Sequence, residues 1–164
     1  MKPKIITLPG LTILGAETRF IGALSPDADN LVVIPALWTA LMARRKEIGK
    51  ALDEFSYGAA KRVPENERNR VGEFVYIAGF SVSPKAKVPA GMVKWVIPEH
   101  AYALFTHKGP VKRLSQTISY IYRVWMPRST YQAADGPEIE RYDDRFKPGS
   151  ESSETDFLVP IRPK

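Results

Sequence analysis

The order of apolar and polar positions in the first half of the chain predicts two strands, a helix and two further strands. Residues 4–22 mix β-branched residues with turn formers, which is typical of a strand, a turn and a second strand. Apolar side chains then recur at helical spacing, and we expect this helix to begin at Pro35. Segments 55–63 and 72–83 are short and rich in β formers, and the charged loop between them indicates a hairpin.

The second half repeats this order of elements. Residues 91–109 again have the pattern of a strand, a break and a strand. The helix that follows is expected to begin at Pro110 and to end at Pro127, because proline is tolerated in a first helical turn and disrupts an interior one. Segments 137–146 and 154–163 flank a polar loop and predict a second hairpin.

The repeated order of elements indicates an internal duplication within a single domain, residues 1–164. The two units would cover approximately residues 1–88 and 89–164, although few residues are identical between them. We therefore predict an α+β fold of duplicated strand-strand-helix-strand-strand units with pseudo-two-fold symmetry. Antiparallel sheets and two main helices would surround a central cleft, which is a natural place for a ligand.

Composition excludes several classes of protein. The chain has no cysteine, so it has no disulfide scaffold, no thiol nucleophile and no sulfur-ligated zinc or iron. This composition is compatible with a cytoplasmic protein. No stretch approaches the roughly 18 apolar residues that a membrane span requires. We expect a soluble protein that does not associate with a membrane.

The formal net charge of +6 raises the question of a nucleic-acid partner. The basic residues are scattered, however. Arg44, Arg45 and Lys46 follow a predicted helix, where cations favour the helix dipole, and the arginines of residues 62–70 alternate with glutamates. This placement is typical of a solvated surface, so direct binding of nucleic acid is not expected.

Motifs for common catalytic and cofactor chemistry are absent. The chain has no glycine-rich phosphate loop, no GxSxG nucleophile turn and no HExxH zinc motif. His100 and His107 lie on or near one predicted strand without a third ligand at suitable spacing. We therefore expect neither a cofactor nor a metal, and no catalytic residue is assigned.

Four segments carry a set of motifs that occur in a fixed order across most of the chain. They are IPALWTAL (34–41), EFVYIAGFSV (73–82), IPEHAYALFTHKGPV (97–111) and WMPRSTYQAADGPEIERYDDRF (125–146). In order and spacing this set resembles the GyrI-like small-molecule-binding family, the AraC-type effector-binding domains. The resemblance implies a duplicated α+β fold whose cleft binds small molecules, often lipophilic cations, in multidrug-sensing transcription regulators and in stand-alone domains. The pattern uses nearly all residues, so a stand-alone member is expected.

The acidic position of the family pattern corresponds to Glu140. Because side chains alternate along a strand, Glu138, Glu140 and Tyr142 share one face and Ile139 points to the other. This alternation alone also allows a solvated face. The resemblance selects Glu140 as the buried acid and leaves Glu138 on the rim. Burial would raise the pKa of Glu140 unless hydrogen bonds or a cation compensate, and a bound cation would be such a partner.

Recognition of a cation also requires aromatic walls, because a ring face attracts positive charge. The candidate ligand-binding aromatic residues are Tyr57, Tyr76, Trp95 and Trp38. Under the duplication, the strand of Tyr57 is equivalent to that of Glu140, so we expect these two side chains to face each other. Ordinary core packing is the alternative for each of the four. Tyr122 and Trp125 are expected in the core beneath the second helix.

Three functions remain open at this point. The favoured one is a domain that senses or sequesters a lipophilic, cationic or drug-like molecule. The second, also implied by the resemblance, is a hydrolase in which Glu140 would be the general base. The third is a module that binds or inhibits another protein. A homodimer is left open as well.

Overall fold

The computed structural model describes residues 1–164 and contains nine strands and two main helical segments. The strands are β1 (Lys4–Leu8), β2 (Leu11–Ile21), β3 (Ser56–Arg62), β4 (Glu73–Ser81), β5 (Val93–Ile97), β6 (His100–Lys108), β7 (Tyr131–Ala133), β8 (Glu138–Tyr142) and β9 (Glu154–Pro163). The first helical segment is α1 (Asn30–Ala43), followed by a 3₁₀ turn (Arg45–Ile48). The second comprises a 3₁₀ turn (Val111–Arg113), α2 (Leu114–Tyr120), a π-helical turn (Ile121–Trp125) and α3 (Met126–Arg128).

Eight of the strands form one antiparallel path in the order β1-β6-β9-β8-β3-β4-β2-β5, and β7 pairs with β9 beside this path. The two halves of the chain meet at the centre, where β3 pairs with β8. The first strand of each half lies at the far edge of the other half's sheet. In the duplication, β1, β2, β3 and β4 correspond to β5, β6, β8 and β9. If each strand is exchanged for its counterpart and the path is read backwards, the strand order is the same. It is compatible with the duplication, which remains a prediction, as does the symmetry.

The sheet curls strongly because of how its edges are connected. Only Pro9 and Gly10 link β1 to β2, although these strands occupy the first and seventh places along the sheet. In a flat sheet with strands about 4.8 Å apart, two residues could not span that separation. The two ends of the sheet must therefore approach each other, and they enclose an inner apolar core. Its members include Leu11, Ile13, Ile77, Ile139 and Leu158.

The helices pack on the opposite face of the sheet, which we call the helix face. Leu41 of α1 belongs to a core cluster with Leu14 of β2 and Ala78 of β4. Ile121 in the second helical segment belongs to another with Phe157 of β9. The two segments therefore cover the outer strands of each half. The central pair, β3 and β8, lies between them, and this arrangement positions the site described below.

The predicted elements are present, but α1 begins earlier than expected. It starts at Asn30, and Pro35 lies inside it instead of at its first turn. Proline has no N–H to donate to the carbonyl of Leu31, yet the apolar residues before it pack against the sheet and extend the helix. Pro110 directly precedes the second helical segment, as predicted. Strand β7 has no counterpart among the predicted elements. None of the helices has the length and apolar character needed to cross a membrane.

Candidate functional site

The central strand β8 presents three polar side chains to the helix face. Glu138, Glu140 and Tyr142 alternate with Ile139, which is fully buried in the inner core. Across the β3–β8 boundary, Glu140 lies directly opposite Gly58. The carboxylate of Glu140 is thus at the centre of the sheet, between the parts covered by the two helical segments.

Gly58 provides the space in which the buried polar groups meet. A Cβ atom at this position would lie 1.9 Å from the Tyr76 hydroxyl oxygen and 2.9 Å from Oε2 of Glu140. Both separations are shorter than any real contact of a Cβ atom. Only glycine at the centre of β3 therefore allows Tyr76 to reach Glu140 from the neighbouring strand β4.

Two tyrosines anchor one oxygen of the Glu140 carboxylate. The Tyr76 hydroxyl donates to Oε2 at 2.9 Å, and the Tyr142 hydroxyl donates to the same atom. Tyr76 in turn accepts a 3.2 Å hydrogen bond from the indole N–H of Trp38 on α1. The other oxygen, Oε1, accepts no hydrogen bond and is not sealed from solvent, and no Lys, Arg or His pairs with Glu140. One oxygen is fixed and the other is available.

The electrostatics of this group reflect its enclosure by protein atoms. Burial raises the pKa of Glu140, and the hydrogen bonds from Tyr142 and Tyr76 partly offset that effect. Burial and the nearby Glu140 charge raise the pKa of both tyrosines well above the usual value. The two phenols therefore stay protonated at neutral pH and remain donors. Glu140 is nevertheless partly accessible to solvent, as a residue on the floor of a cleft would be.

Aromatic rings form a wall on the α1 side of Glu140. The Trp38 ring meets the Tyr142 ring edge to face, with centroids 6.0 Å apart and an interplanar angle of 81°. Phe146 also packs against Tyr142, with ring centroids 4.8 Å apart. Because Trp38 is also bound through its N–H to Tyr76, these rings are held in place around the carboxylate. Trp38 and Tyr76 were candidates from the sequence, whereas Tyr142 was not.

A second carboxylate lies on the other side of Glu140. The Tyr122 hydroxyl, on the π-helical turn, donates to Oε1 of Glu138. Burial raises the pKa of Glu138, while the Tyr122 hydrogen bond and the charge of Arg62 lower it. Tyr122 packs against the core beneath the second helical segment, as expected, and its hydroxyl also reaches Glu138. Glu138 was expected on the rim, whereas this hydrogen bond holds it beside Glu140, and the alternation along β8 was the available signal.

Two other sequence candidates lie on the inner face, away from Glu140. The expectation that Tyr57 faces Glu140 is wrong, because Tyr57 pairs with Arg141 and its ring belongs to the inner core. A difference of one residue in register places a side chain on the opposite face of a sheet. Trp95 also packs against the inner core, and its N–H donates to the exposed Glu17 at 3.0 Å.

The two histidines are not part of the group around Glu140. His107 is buried, and its Nδ1 and Nε2 lie 2.8 Å from the Thr117 hydroxyl and 3.2 Å from the Pro110 carbonyl. A carbonyl can only accept, so Nε2 carries a proton and His107 fastens the strand to the following helix. His100 packs edge to face on Tyr102. No group of three or more His, Asp or Glu side chains could hold a metal ion.

An open groove of about 600 Å³ elsewhere on the surface does not have the character of a small-molecule site. It lies near one end of β2, β3 and β4, and only two of its nine lining residues are hydrophobic. Its charges are partly satisfied within the protein, since Arg19 pairs with Glu73 at 3.1 Å and Glu17 accepts from Trp95. By contrast, the Glu140 carboxylate has no ion pair and lies beside the linked rings of Trp38, Tyr76 and Tyr142.

A curled antiparallel sheet with helices on one face, and an acidic group between aromatic rings at its centre, defines a small-molecule-binding α+β domain. Comparison with known families agrees with this class. The chain belongs to the GyrI-like small molecule binding domain family, whose model matches residues 1–162.

A curated relative and two solved structures illustrate the family and the fold. The transcriptional regulator BrlR of Pseudomonas aeruginosa is 33% identical over 163 residues, which are 98% of this chain but only 56% of that protein. The chain thus spans little more than half of that relative. A structure of SAV2435 bound to tetraphenylphosphonium matches with a TM-score of 0.75 and 16% identity, covering 99% of this chain and 94% of that one. A hydrolase from Listeria innocua matches with a TM-score of 0.53 and 12% identity, covering 98% and 92% respectively.

Proposed function

We propose that this domain binds lipophilic cations in the cleft on the helix face, with Glu140 as the counter-ion. Trp38 and Tyr142 form the aromatic wall beside the ligand, and the buried Tyr76 anchors the carboxylate. The observation that carries the proposal is the state of the Glu140 carboxylate. Two hydroxyls hold one of its oxygens, while the other has no partner and no basic side chain neutralises it. Tyr57 and Trp95 lie on the inner face and are not part of the proposed site.

The energetics favour a cation over a neutral or anionic ligand. An ionised carboxylate without a counter-ion is costly to enclose, by several kcal/mol, and a cation in contact offsets that cost. Each aromatic face beside the cation adds about 0.5–2 kcal/mol, depending on its desolvation. The net charge of +6 opposes cation binding only weakly, because salt screens charges over about 8 Å at physiological ionic strength.

The comparisons support the ligand class and suggest a biological setting. SAV2435, which has the same fold, has been solved with a lipophilic cation bound. The relative BrlR is a transcriptional regulator that contains additional sequence outside the matched region. We infer that ligand binding by this domain serves sensing in transcription regulation or sequestration of the compound. It acts through a distinct DNA-binding module or partner if it is a sensor.

Calorimetric titration with tetraphenylphosphonium tests the proposal. Glu140→Gln keeps the size of the side chain and an oxygen for the tyrosines but removes the charge, so affinity should fall about tenfold or more. Glu99→Gln is the matched control, since Glu99 is exposed and makes no hydrogen bond or ion pair. The neutral compound triphenylphosphine oxide should bind weakly and equally to all three proteins. Equal affinity of wild type and Glu140→Gln for the cation would contradict the proposal.

A second candidate function is hydrolysis with Glu140 as general base. It is favoured by the raised pKa of Glu140 together with its unoccupied Oε1, a combination suited to accepting a proton from water. A neighbour of the same fold is a hydrolase. Incubation with strained electrophiles such as epoxides, followed by mass spectrometry, should then show hydrated product with wild type and none with Glu140→Gln. Binding of cations without any turnover would favour the receptor function.

A further inference from the structure

The proposed cleft contains a second carboxylate that a receptor for a single positive charge does not require. Glu138 lies two residues from Glu140 on the same face of β8, so their Cβ atoms are about 6–7 Å apart. The Tyr122 hydroxyl fixes Oε1 of Glu138, just as Tyr76 and Tyr142 fix Oε2 of Glu140. In each carboxylate, the remaining oxygen accepts no hydrogen bond.

No cationic side chain of the protein pairs with Glu138. The nearest candidate, Arg62, is exposed and stacks over the Phe74 ring with its Cζ 5.0 Å from the ring centroid. It forms no ion pair with Glu138 within 4.0 Å, and solvent screens its charge. A single cation bound at Glu140 would therefore leave the Glu138 carboxylate enclosed, with no positive charge in contact. A metal ion is a poor occupant, because no third acidic or histidine ligand lies nearby.

We propose that Glu138 makes the cleft selective for ligands with two cationic centres, one at each carboxylate and spaced to match them. Tyr122 acts as a positioning residue that directs the free oxygen of Glu138. This inference rests on the proposed function of Glu140. It goes beyond that function by assigning the second subsite and the ligand class, lipophilic dications such as diamines or bis-quaternary compounds.

Ethidium and propidium provide a matched pair of fluorescent probes. They share one aromatic cation, and propidium carries a second quaternary nitrogen on a short propyl chain. Wild type should bind propidium more tightly. Glu138→Gln should weaken propidium about tenfold or more, because it removes a charge in contact with the second nitrogen, and should weaken ethidium by no more than about threefold. Glu140→Gln should weaken both dyes, and Glu99→Gln neither.

The pattern of results separates this inference from the function on which it rests. If Glu140→Gln weakens both dyes while Glu138→Gln affects them equally, the second subsite is wrong and the cation receptor stands. If Glu140→Gln changes neither dye, or wild type binds neither, both proposals fail. Tetraphenylphosphonium must displace bound propidium. If it does not, propidium binds elsewhere and the assignment of the second subsite is wrong. Thermal unfolding checks that Glu138→Gln is folded, as expected because its amide oxygen can still accept from Tyr122.

Discussion

Substitution of Gly58 tests the geometry on which the site depends. In Gly58→Ala the new Cβ would lie 1.9 Å from the Tyr76 hydroxyl oxygen and 2.5 Å from the Cζ atom that carries it. The hydroxyl would have to retreat by at least about 1.5 Å to reach the shortest ordinary contact of 3.4 Å. The ring has little freedom to do so, since Tyr76 is only 1% exposed and packs edge to face against Phe20.

The magnitude follows from the bonds that such a movement breaks. Separating Tyr76 from Glu140 removes a hydrogen bond to a charged group, worth about 1.5–3 kcal/mol, and separating it from Trp38 removes a neutral one, worth about 0.5–1.5 kcal/mol. Replacing glycine by alanine within a strand stabilises the folded state by about 0.5–1 kcal/mol, because alanine loses less backbone entropy on folding. We expect Gly58→Ala to lower the free energy of unfolding by about 1–4 kcal/mol and to weaken tetraphenylphosphonium binding.

Urea denaturation and calorimetry measure the two effects. Gly10→Ala is the control, because a Cβ there would meet nothing closer than 3.7 Å and the residue does not require positive φ. Its stability should stay within about 0.5 kcal/mol of wild type. In a Tyr76→Phe background the closest clash disappears, so the cost of Gly58→Ala should shrink. Wild-type stability and affinity in Gly58→Ala would refute the reasoning.

Three further predictions concern charge. Calorimetry should show that the affinity of wild type for tetraphenylphosphonium falls as the pH is lowered below the raised pKa of Glu140, by up to about tenfold per pH unit. The reason is that a proton competes with the cation for the carboxylate. The affinity of Glu140→Gln should not change with pH. The raised pKa also means that folding disfavours the ionised form, a penalty that is absent below the unfolded pKa of about 4.3 and grows as pH rises through the folded value. In denaturant titrations, Glu140→Gln should therefore unfold with about 1–3 kcal/mol more free energy than wild type at neutral pH and match it near pH 4. Asp156 behaves oppositely: although burial raises its pKa, hydrogen bonds from Arg141, Thr106 and Arg145 hold that pKa below its usual value. Its contribution is present above about pH 3.9 and is lost as pH falls through the folded pKa, so Asp156→Asn should cost about 3 kcal/mol at pH 7 and progressively less as the pH falls below 3.9. Equal stability at pH 7 would contradict the ion-pair assignment.

The strand and helix order could be predicted from local patterns because each element carries its own periodicity. The hairpin of β3 and β4 and the strand β9 lie where alternation and turn residues indicate. The start of α1 could not be predicted in this way. Proline is usual at a first helical turn, but packing of the residues before Pro35 against the sheet outweighs that preference.

The sequence by itself determined the family and the α+β class and favoured Glu140 as the candidate acid, all of which depend on residue types at fixed spacing along the chain. Only the tertiary structure decided which side chains surround that carboxylate. Pairing of β3 with β8 joins residues more than eighty positions apart, and its register sets Gly58, not Tyr57, opposite Glu140. Because neighbouring residues of a strand face opposite sides, one step of register moves Tyr57 to the inner core. The same geometry gathers Tyr76, Trp38 and Glu138 around Glu140.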